Sequence, residues 1–404
     1  MSKISDLIAK LCPNGVEYKK LGDIATDIYR GSGILRTQVT VEGVPCVRYG
    51  EIYTTYGVWF DTCVSHTKLE YIQSPKYFEH GDILFAITGE SVEEIAKSTA
   101  YVGNEKCLAG GDIVVLKHRQ NPKYLAYALS TIEAQAQKSK GKVKSKVVHS
   151  SVPSIKEILI PVPPLEIQRE VVEVLDKFAL LTAELTAELT AELEKRKKQY
   201  EHYRRALLAE GNREQGTGNR CGVSNWPMVK LGEVCEMKAG KAIPASDIML
   251  EADIAHAISC YGANGFRGYV ATANQNGDHC LIGRQGALCG NVCFASGHFY
   301  ATEHAVVVSQ RGKYNNRYLY HLLTEMDLNQ YKSQGAQPGL SVGKLEDLKV
   351  PLPPLAEQER IVKILDRFDK LCNDLTSGLP AEIAARKKQY EYYRDKLLSF
   401  KRAG

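Results

Sequence analysis

One segment of the chain occurs twice, at positions 190 residues apart, and the two copies align without a gap. The copies match "PVPPLEIQREVVEVLDKFALL" at 161–181 with "PLPPLAEQERIVKILDRFDKL" at 351–371, and "RKKQYEHYRRALL" at 196–208 with "RKKQYEYYRDKLL" at 386–398. Ten of 21 positions are identical in the first pair and ten of 13 in the second. Because repetition at a fixed offset marks a repeated structural unit, we expect two versions of one plan.

Each copy is predicted to form a long helix just after a proline pair, where a missing N–H costs nothing. Apolar residues in the first copy recur at alternating spacings of three and four from Val171 to Leu185, which is typical of a coiled-coil seam. No helix-breaking residue interrupts 165–209, so this helix would span roughly 68 Å. In the second copy, Gly378 and Pro380 predict a break before the helix resumes.

The first copy contains the tetrad TAEL three times, at 182–193. A spacing of four exceeds 3.6 residues per turn, so such tetrads locally unwind a supercoil. The second copy fills the same length with a sequence that does not repeat, which favours a spacer of selected length over simple low complexity in a solvated helix. The residues predicted to set this spacing are Leu181, Leu185, Leu189 and Leu193, matched by Leu371, Leu375, Leu379 and Ile383.

The duplicated segments follow two dissimilar bodies that are rich in short strand-forming runs and Gly-rich turns. A faint echo, "KLGDIA" at Lys20 and "KLGEVC" at Lys230, indicates a shared frame. Each body is therefore interpreted as an α+β domain. The predicted strands lie at 81–87, 112–118, 278–284 and 304–310, and the predicted helices at 122–137 and 315–326.

Composition limits the class of protein. A chain of 404 residues is long enough for two domains, and its net charge of +5 is compatible with a polyanionic partner without requiring one. Apolar runs are short and the first 15 residues lack a signal-peptide core, so we expect a cytoplasmic protein without a membrane segment. Eleven cysteines without a framework spacing are typical of reduced thiols.

Catalytic signatures are absent from the sequence. There is no phosphate-binding glycine loop, no Pro-Asp dipeptide that could begin a nuclease motif, and no nucleophile elbow. Both proline pairs precede leucine, which does not fit the Asn/Asp-Pro-Pro-aromatic motif of amino-methyltransferases. Cys280, Cys289, Cys293 and His298 match no standard zinc spacing, and core cysteines are the better interpretation. We expect no catalytic or metal site.

Residues suited to DNA contact occur in both bodies. Arginine can pair with guanine, and asparagine or glutamine with adenine, while a lysine-rich run suits phosphates. A solvated loop is an equally good interpretation of the lysine run at 138–146, and any of the other segments could be a polar turn. The candidates are Arg48, Tyr49, Tyr53, Lys138, Lys140, Lys142, Lys144, Lys146, Tyr261, Asn264, Arg267, Arg284 and Gln285.

Two dissimilar bodies, each followed by P-x-PPL…Q…L-D-x-F and RKKQY-E-x-YR…LL, resemble the specificity subunit of a type I restriction-modification enzyme. The TAEL tetrads resemble its IC subfamily. The resemblance implies two target recognition domains separated by two long conserved helices, which form an antiparallel coiled coil in a pseudo-twofold arrangement. The domains would be 1–160 and 226–350, the helical spacers 161–210 and 351–404, and the linker 211–225.

The resemblance also implies a division of labour. Each target recognition domain would read one half of a split site in double-stranded DNA, and the helices would set the distance between the halves. Two modification subunits would hold S-adenosylmethionine and methylate adenine, while restriction subunits would use ATP and Mg²⁺ to translocate and cleave DNA. The chain itself would bind no cofactor. A self-sufficient methyltransferase or nuclease and a coiled-coil adaptor without DNA contact are the alternatives.

Overall fold

The structure is a computed structural model that describes residues 2–139, 143–144, 147–209, 226–286, 288–333, 338–374 and 376–403. The chain forms two compact units. Unit 1 comprises Met1–Ala187 together with Ala384–Gly404, and unit 2 comprises Glu188–Ile383. The domain boundaries predicted from the sequence follow the duplication, whereas the compact units divide each duplicated segment between them.

The described helices, numbered along the chain, are α1 (Ser2–Leu11), α2 (Leu21–Ile24), α3 (Tyr49–Thr54), α4 (Pro122–Leu129), α5 (Ile132–Lys138), α6 (Val152–Lys156), α7 (Leu165–Ala209), α8 (Leu231–Val234), α9 (Asn316–Glu325), α10 (Val342–Glu346), α11 (Leu355–Asn373) and α12 (Leu379–Leu397).

The described strands up to the long helix are β1 (Tyr18–Lys20), β2 (Ala25–Arg30), β3 (Val39–Thr40), β4 (Val44–Val47), β5 (Trp59–Phe60), β6 (Ser65–Thr67), β7 (Tyr77–Phe78), β8 (Ile83–Ala86), β9 (Thr88–Gly89), β10 (Ser98–Tyr101), β11 (Cys107–Ala109), β12 (Ile113–His118), β13 (Val143–Lys144), β14 (Val147–His149) and β15 (Leu159–Pro161). Those that follow are β16 (Met228–Lys230), β17 (Cys235–Ala239), β18 (Ile258–Gly262), β19 (Gly265–Val270), β20 (Gln275–Asn276), β21 (His279–Gly283), β22 (Val292–Ala295), β23 (His298–Ala301), β24 (Ala305–Gln310) and β25 (Lys349–Pro351).

The sheets of the two units follow related orders. In the described part of unit 1, one five-stranded sheet has the order β2-β12-β8-β10-β5 and another has the order β3-β6-β4-β11-β7. In the described part of unit 2, four-stranded sheets have the orders β17-β24-β21-β22 and β19-β18-β23-β20. In each unit the strand that ends at the first residue of the echo motif pairs antiparallel with the strand that leads into the duplicated segment, β1 with β15 and β16 with β25.

The predicted elements are largely confirmed. All four predicted strand runs contain a strand, and the helix predicted at 315–326 is α9. The helix predicted at 122–137 is divided into α4 and α5, because the Thr131 side chain accepts a hydrogen bond from Ala134 N and starts a second helix. Polar residues that can cap a new turn compete with helix continuation, and the apolar pattern alone does not reveal this competition.

The long helix α7 has the predicted bounds, and its two parts pack into different units. Ile167, Val171 and Leu175 are fully buried in the core of unit 1, at a spacing of four. Tyr200 stacks on Phe368 of α11 within unit 2, with ring centroids 6.3 Å apart. The apolar stripe therefore serves each unit's own core as well as helix pairing.

The predicted break in the second copy is confirmed. α11 ends at Asn373 and α12 begins at Leu379. The Asp374 carboxylate accepts hydrogen bonds from Thr376 N at 2.7 Å and from the Ser377 hydroxyl at 2.5 Å, so a side chain replaces backbone bonds that a continuous helix would have made.

A buried glutamine of the duplicated motif attaches each long helix to its own domain. In unit 1, Gln168 Nε2 donates to Pro163 O at 2.7 Å, and its Oε1 accepts from Asn121 N at 2.9 Å. In unit 2, Gln358 Nε2 donates to Pro353 O at 2.9 Å, and its Oε1 accepts from Asn315 N at 2.7 Å.

Asn121 and Asn315 are the N-caps of α4 and α9, and both glutamines are fully buried. One amide thus satisfies the entry of the long helix and the start of a core helix together.

The motif aspartate adds a polar contact to the same helix. Asp176 accepts hydrogen bonds from Tyr127 OH at 2.7 Å and from Lys123 Nζ at 2.8 Å. Its counterpart Asp366 accepts from Arg317 Nη2 and pairs with His321 Nε2, both at 2.8 Å. Burial works against ionisation, but these partners hold the pKa of Asp366 below its usual range.

Replacing Gln168 with leucine should destabilise unit 1. The substitution leaves Asn121 N and Pro163 O buried without a partner, and each buried unpaired group costs about 1–3 kcal/mol. We expect Q168L to lower the free energy of unfolding by about 2–4 kcal/mol in urea titrations. The exposed Gln73 of the same unit provides the control Q73L. Equal midpoints for the two variants would contradict the role assigned to Gln168.

Candidate DNA interface

In each unit, one backbone hydrogen bond joins the ends of two neighbouring strands. Gly110 N, just after β11, donates to Val47 O at the end of β4 at 2.8 Å. Thr302 N, just after β23, donates to Tyr261 O near the end of β18 at 2.9 Å. In both units the two strands are parallel. The residues that follow Val47 and Tyr261 therefore leave the sheet at matching positions.

In each unit, a second backbone hydrogen bond joins the end of one strand to the start of another. Ile87 N, after β8, donates to Asp112 O before β12 at 3.0 Å. Arg284 N, after β21, donates to His304 O before β24 at 2.9 Å. We call the meeting point of these four strand ends the strand corner: β4, β8, β11 and β12 in unit 1, and β18, β21, β23 and β24 in unit 2.

Glycine permits the backbone to approach this corner closely in both units. A Cβ atom on Gly31 would collide with the carbonyl oxygens of Gly110 and Ala109. A Cβ atom on Gly240 would collide with the carbonyl of Ala301. Gly31 begins the sequence Gly-Ser-Gly at 31–33, which is too short to indicate a phosphate-binding loop, and in the structure Gly31 allows this close packing.

The candidates of unit 1 lie immediately after Val47. Arg48 is half-buried and forms the N-cap of α3, with its Nε 3.3 Å from Glu51 Oε1. The Glu51 carboxylate is buried and also accepts from the Ser65 hydroxyl at 2.7 Å. Tyr49 is 39% exposed, so its ring can reach an external partner. Arg48 and Tyr49 thus occupy the strand corner in an arrangement held by Glu51.

Tyr53 is more enclosed than the other candidates of unit 1. Its hydroxyl donates to Ala86 O at 3.3 Å and lies where a Cβ atom on Gly89 would approach it at 2.8 Å. Burial raises the pKa of Tyr53 to about 12. Its geometry is that of a packing residue beside the corner.

The candidates at 261–267 form a two-residue hairpin between β18 and β19, closed by the pair Gly262 and Gly265. Tyr261 packs edge-on against Phe299, with centroids 5.8 Å apart, so it contributes chiefly to the core. Asn264 and Arg267 are exposed. The hairpin therefore presents an amide and a guanidinium from the strand corner of unit 2.

Arg284 and Gln285 follow β21 at the same corner. Gln285 is exposed and bridges to Gly339 through its backbone. A Cβ atom on Gly283 would collide with the carbonyl of Ala263, so the hairpin tip and the end of β21 touch. A cleft of about 400 Å³ lies here, lined by Ala263, Gln285, Gly286, His304, Pro338 and Gly339.

The structure thus brings Asn264 of the hairpin close to the segment that contains Arg284 and Gln285, about 20 residues later in the sequence.

The predicted lysine run is only partly described. Lys140, Lys142 and Lys146 lie outside the described residues, and only the backbone of Lys144 is described, in β13. Lys138 is fully described and is buried at the end of α5. Its ammonium donates to Leu129 O at 2.7 Å and to the Ser98 hydroxyl at 3.1 Å, which encloses it away from any phosphate in this conformation.

Burial lowers the pKa of Lys138 to about 7, and this shift predicts a pH dependence of stability. The unfolded lysine titrates near 10.5, so between the two values the unfolded chain binds more protons and stability rises with pH. From pH 7.5 to 9 the gain should be on the order of 2 kcal/mol. K138M should lose this slope in urea unfolding, while K10M, at an exposed lysine of α1, should keep it. A slope that survives in K138M would overturn the assignment.

Sequence reasoning missed four residues of the strand corners. Arg30 and Asp112 form an ion pair in unit 1, with Nη2 2.5 Å from Oδ1. Glu303 and His304 are paired in unit 2, with Nε2 3.2 Å from Oε1. The pair of Arg30 and Asp112 becomes visible only when β2 and β12 are brought together, whereas Glu303 and His304 are neighbours in the sequence. Asp112 and His304 are polar residues that begin predicted strand runs, and this position is their sequence signal.

The residues predicted to set the spacer differ in burial. Leu181 is 60% exposed, Leu371 is 36% exposed and Leu193 is buried in the core of unit 2. Leu375 lies outside the described residues. The half-buried positions are Leu185, Leu189, Leu379 and Ile383.

The tyrosines of the RKKQY segments pack within the units. Tyr200 is buried, and its hydroxyl lies 3.1 Å from His321 Nδ1. Tyr203 stacks on Phe368 with centroids 5.4 Å apart, and Tyr393 stacks on Phe178 at 6.1 Å. Tyr203 and Tyr393 keep exposed edges that a partner could contact.

The cysteines considered for zinc are buried or, in the case of Cys293, half-buried. Cys280 is buried and donates to Asn316 O at 3.4 Å, and Cys289 is also buried. Over the residues that the structure describes, no group of three His, Cys, Asp or Glu side chains is placed to hold a metal ion. Over the same residues, no helix is long and apolar enough to cross a membrane.

The chain belongs to the family of type I restriction-modification DNA specificity proteins. The family model described as "Type I restriction modification DNA specificity domain" matches residues 13–195 and 223–385, one match in each half of the duplication. The chain is therefore a specificity subunit that recognises DNA, and specificity subunits of type I restriction-modification systems are non-catalytic.

Curated relatives support the assignment. The chain is 41% identical over 318 residues to the EcoprrI specificity subunit of Escherichia coli, covering 76% of this chain and 75% of that protein. It is 32% identical over 306 residues to the EcoR124I/EcoR124II specificity subunit of Escherichia coli, covering 69% and 70%.

Solved structures share the fold. A chain from work on complex assembly and conformational transition of the type I restriction-modification system matches with a TM-score of 0.63 at 20% identity, covering 95% of this chain and 97% of that chain. The HsdS subunit from Thermoanaerobacter tengcongensis matches with a TM-score of 0.51 at 19% identity, covering 96% of each. The predicted fold class, two α+β domains with long conserved helices, is confirmed.

Proposed function

We propose that each unit reads one half of a bipartite site in double-stranded DNA and that the long helices set the distance between the halves. The matched strand corners carry this proposal. One backbone arrangement occurs in both units but presents Arg48 and Tyr49 in unit 1, and Asn264, Arg284 and Gln285 in unit 2. Two domains that recognise different base sequences require the same backbone arrangement with different side chains.

The helix α7 supports the role of a spacer. Its 45 residues are uninterrupted, and the boundary between the units falls between Ala187 and Glu188, inside the TAEL tetrads. The tetrads are therefore the part of α7 that connects unit 1 to unit 2. We further propose that the chain belongs to the IC-like subfamily, in which such tetrads occur.

Deleting one tetrad, 186–189, should shorten the unread spacer by about one base pair. Four residues lengthen a helix by about 6 Å and turn it about 40° beyond a full turn, while one base pair contributes about 3.4 Å and about 35°. Methylome sequencing of cells that express the complex should therefore show both half-sites unchanged. The control Glu188→Gln keeps the length and should keep the spacer. Altered bases with an unchanged spacer would contradict the proposal.

Substitutions in one strand corner should change one half-site only. Asn264→Ala should relax base preference in the half read by unit 2, and Tyr49→Ala should affect the half read by unit 1. For Asn264, the loss of a paired contact with a base costs about 1–3 kcal/mol of discrimination. Methylome sequencing of both variants provides the measurement, with each variant serving as the control for the other. Changes in both halves from a single substitution would speak against separate readers.

We propose that two modification subunits and restriction subunits complete the enzyme, with S-adenosylmethionine, ATP and Mg²⁺ held by those partners in the cytoplasm. The duplicated helical element supports two modification subunits, since each copy offers one equivalent surface. Purified chain alone should transfer no methyl group, whereas the complex should bind its site with an affinity that falls as salt rises. Methyl transfer by rigorously purified chain would contradict the division of labour.

A further inference from the structure

The strand corner of unit 2 contains polar atoms with unused hydrogen-bonding capacity. Among the described residues, no hydrogen-bond partner lies near Thr302 Oγ1, Glu303 Oε2, His304 Nδ1 or Arg284 Nε, and all four atoms are buried. Thr302 as a whole is fully buried. Buried polar atoms are nearly always paired, so four of them in one place point to a polar ligand.

Backbone contacts bring these side chains to one place. Arg284 N donates to His304 O at 2.9 Å, directly beyond the paired residues Gly283 and Ala305. Residues opposite each other on antiparallel strands point to the same face. Arg284 and His304 therefore share a face, and His304 Nε2 holds Glu303 Oε1 at 3.2 Å. His304 also lines the cleft described above.

The corresponding corner of unit 1 does not have this cluster. Counted from the matched backbone bonds, Gly110, Gly111 and Asp112 stand where unit 2 has Thr302, Glu303 and His304. The Asp112 carboxylate is already paired with Arg30. Because unit 1 folds with glycines at two of these positions, the shared fold does not require the polar cluster.

The side chains of this cluster favour some chemical groups of DNA over others. A carboxylate accepts hydrogen bonds and repels phosphate, so Glu303 favours an exocyclic amino group on a base. A guanidinium only donates and favours the paired acceptors of guanine. An acceptor beside a donor matches the major-groove edge of a G·C pair, where cytosine offers N4–H₂ and guanine offers O6 and N7.

We infer that this cluster reads a G·C pair in the half-site of unit 2. Glu303 accepts from cytosine N4, Arg284 donates to guanine O6 and N7, and His304 is a positioning residue that orients the Glu303 carboxylate. The inference rests on the proposed function, because it requires that unit 2 reads one half of a bipartite site.

The test is methylome sequencing of cells that express the complex with Glu303→Gln. Glutamine keeps the size of the side chain but can both donate and accept, so it tolerates the O4 acceptor of thymine as well as the amino group of cytosine. We expect one G·C position in the half-site of unit 2 to lose its preference by tenfold or so, with the other half-site unchanged. Arg284→Lys should relax the same position, since lysine lacks the planar fork.

The matched control is Glu236→Gln, at an exposed glutamate of β17 in the same unit that pairs with Lys238. It should leave every position unchanged. Thermal unfolding and assembly with the modification subunits establish that each variant is folded.

Unchanged base preferences in both Glu303→Gln and Glu303→Ala, or relaxation at an A·T pair or in the other half-site, would overturn the inference. A wild-type methylation site that is not bipartite would instead refute the proposed function.

Discussion

The buried amides of Gln168 and Gln358 tie each long helix to the domain whose core it enters. Each amide uses both of its polar atoms, one for the proline segment before the helix and one for the cap of α4 or α9. Asp176 and Asp366 lie about two turns further along these helices, so the attachment is polar and directional rather than only apolar. Because the helix is fixed rigidly to its domain, a change in the length of the helix would move the domain. Any role in spacing requires such a rigid attachment.

The strand corners show how one frame can serve different sequences. Backbone hydrogen bonds and close glycines such as Gly31 and Gly240 keep the strand ends in place whatever side chains follow them. Unit 1 fills the corner with internally satisfied pairs, Arg48 with Glu51 and Arg30 with Asp112. Unit 2 leaves polar atoms of Thr302 and Glu303 without partners among the described residues. The same backbone frame therefore accommodates different side chains at the corner in the two units.

Much of this was accessible from the sequence, because local signals were strong. The bounds of α7 follow from the proline pair and the lack of breakers, and the break before α12 follows from Gly378 and Pro380. Long-range contacts were not accessible. The burial of Lys138 depends on Ser98 and Leu129, and the cluster at Glu303 depends on the pairing of β21 with β24. The helix α1 was not predicted, although Ile4, Leu7, Ile8 and Leu11 recur in it at helical spacing.

Unit 1 is built from both ends of the chain, and this has a consequence for its biosynthesis. Val16 N donates to Lys401 O at 2.7 Å, Ala403 N donates to Val16 O at 2.9 Å, and Phe400 is buried in the core of unit 1. During translation the first domain must wait for the whole of Glu188–Ile383 to emerge, which at about 5–20 residues per second takes roughly 10–40 s. Through that interval the nascent first domain exposes the apolar surface that Leu398 and Phe400 later cover. A chain truncated just after Ile383 would therefore contain all of unit 2 but would lack the segment that completes unit 1.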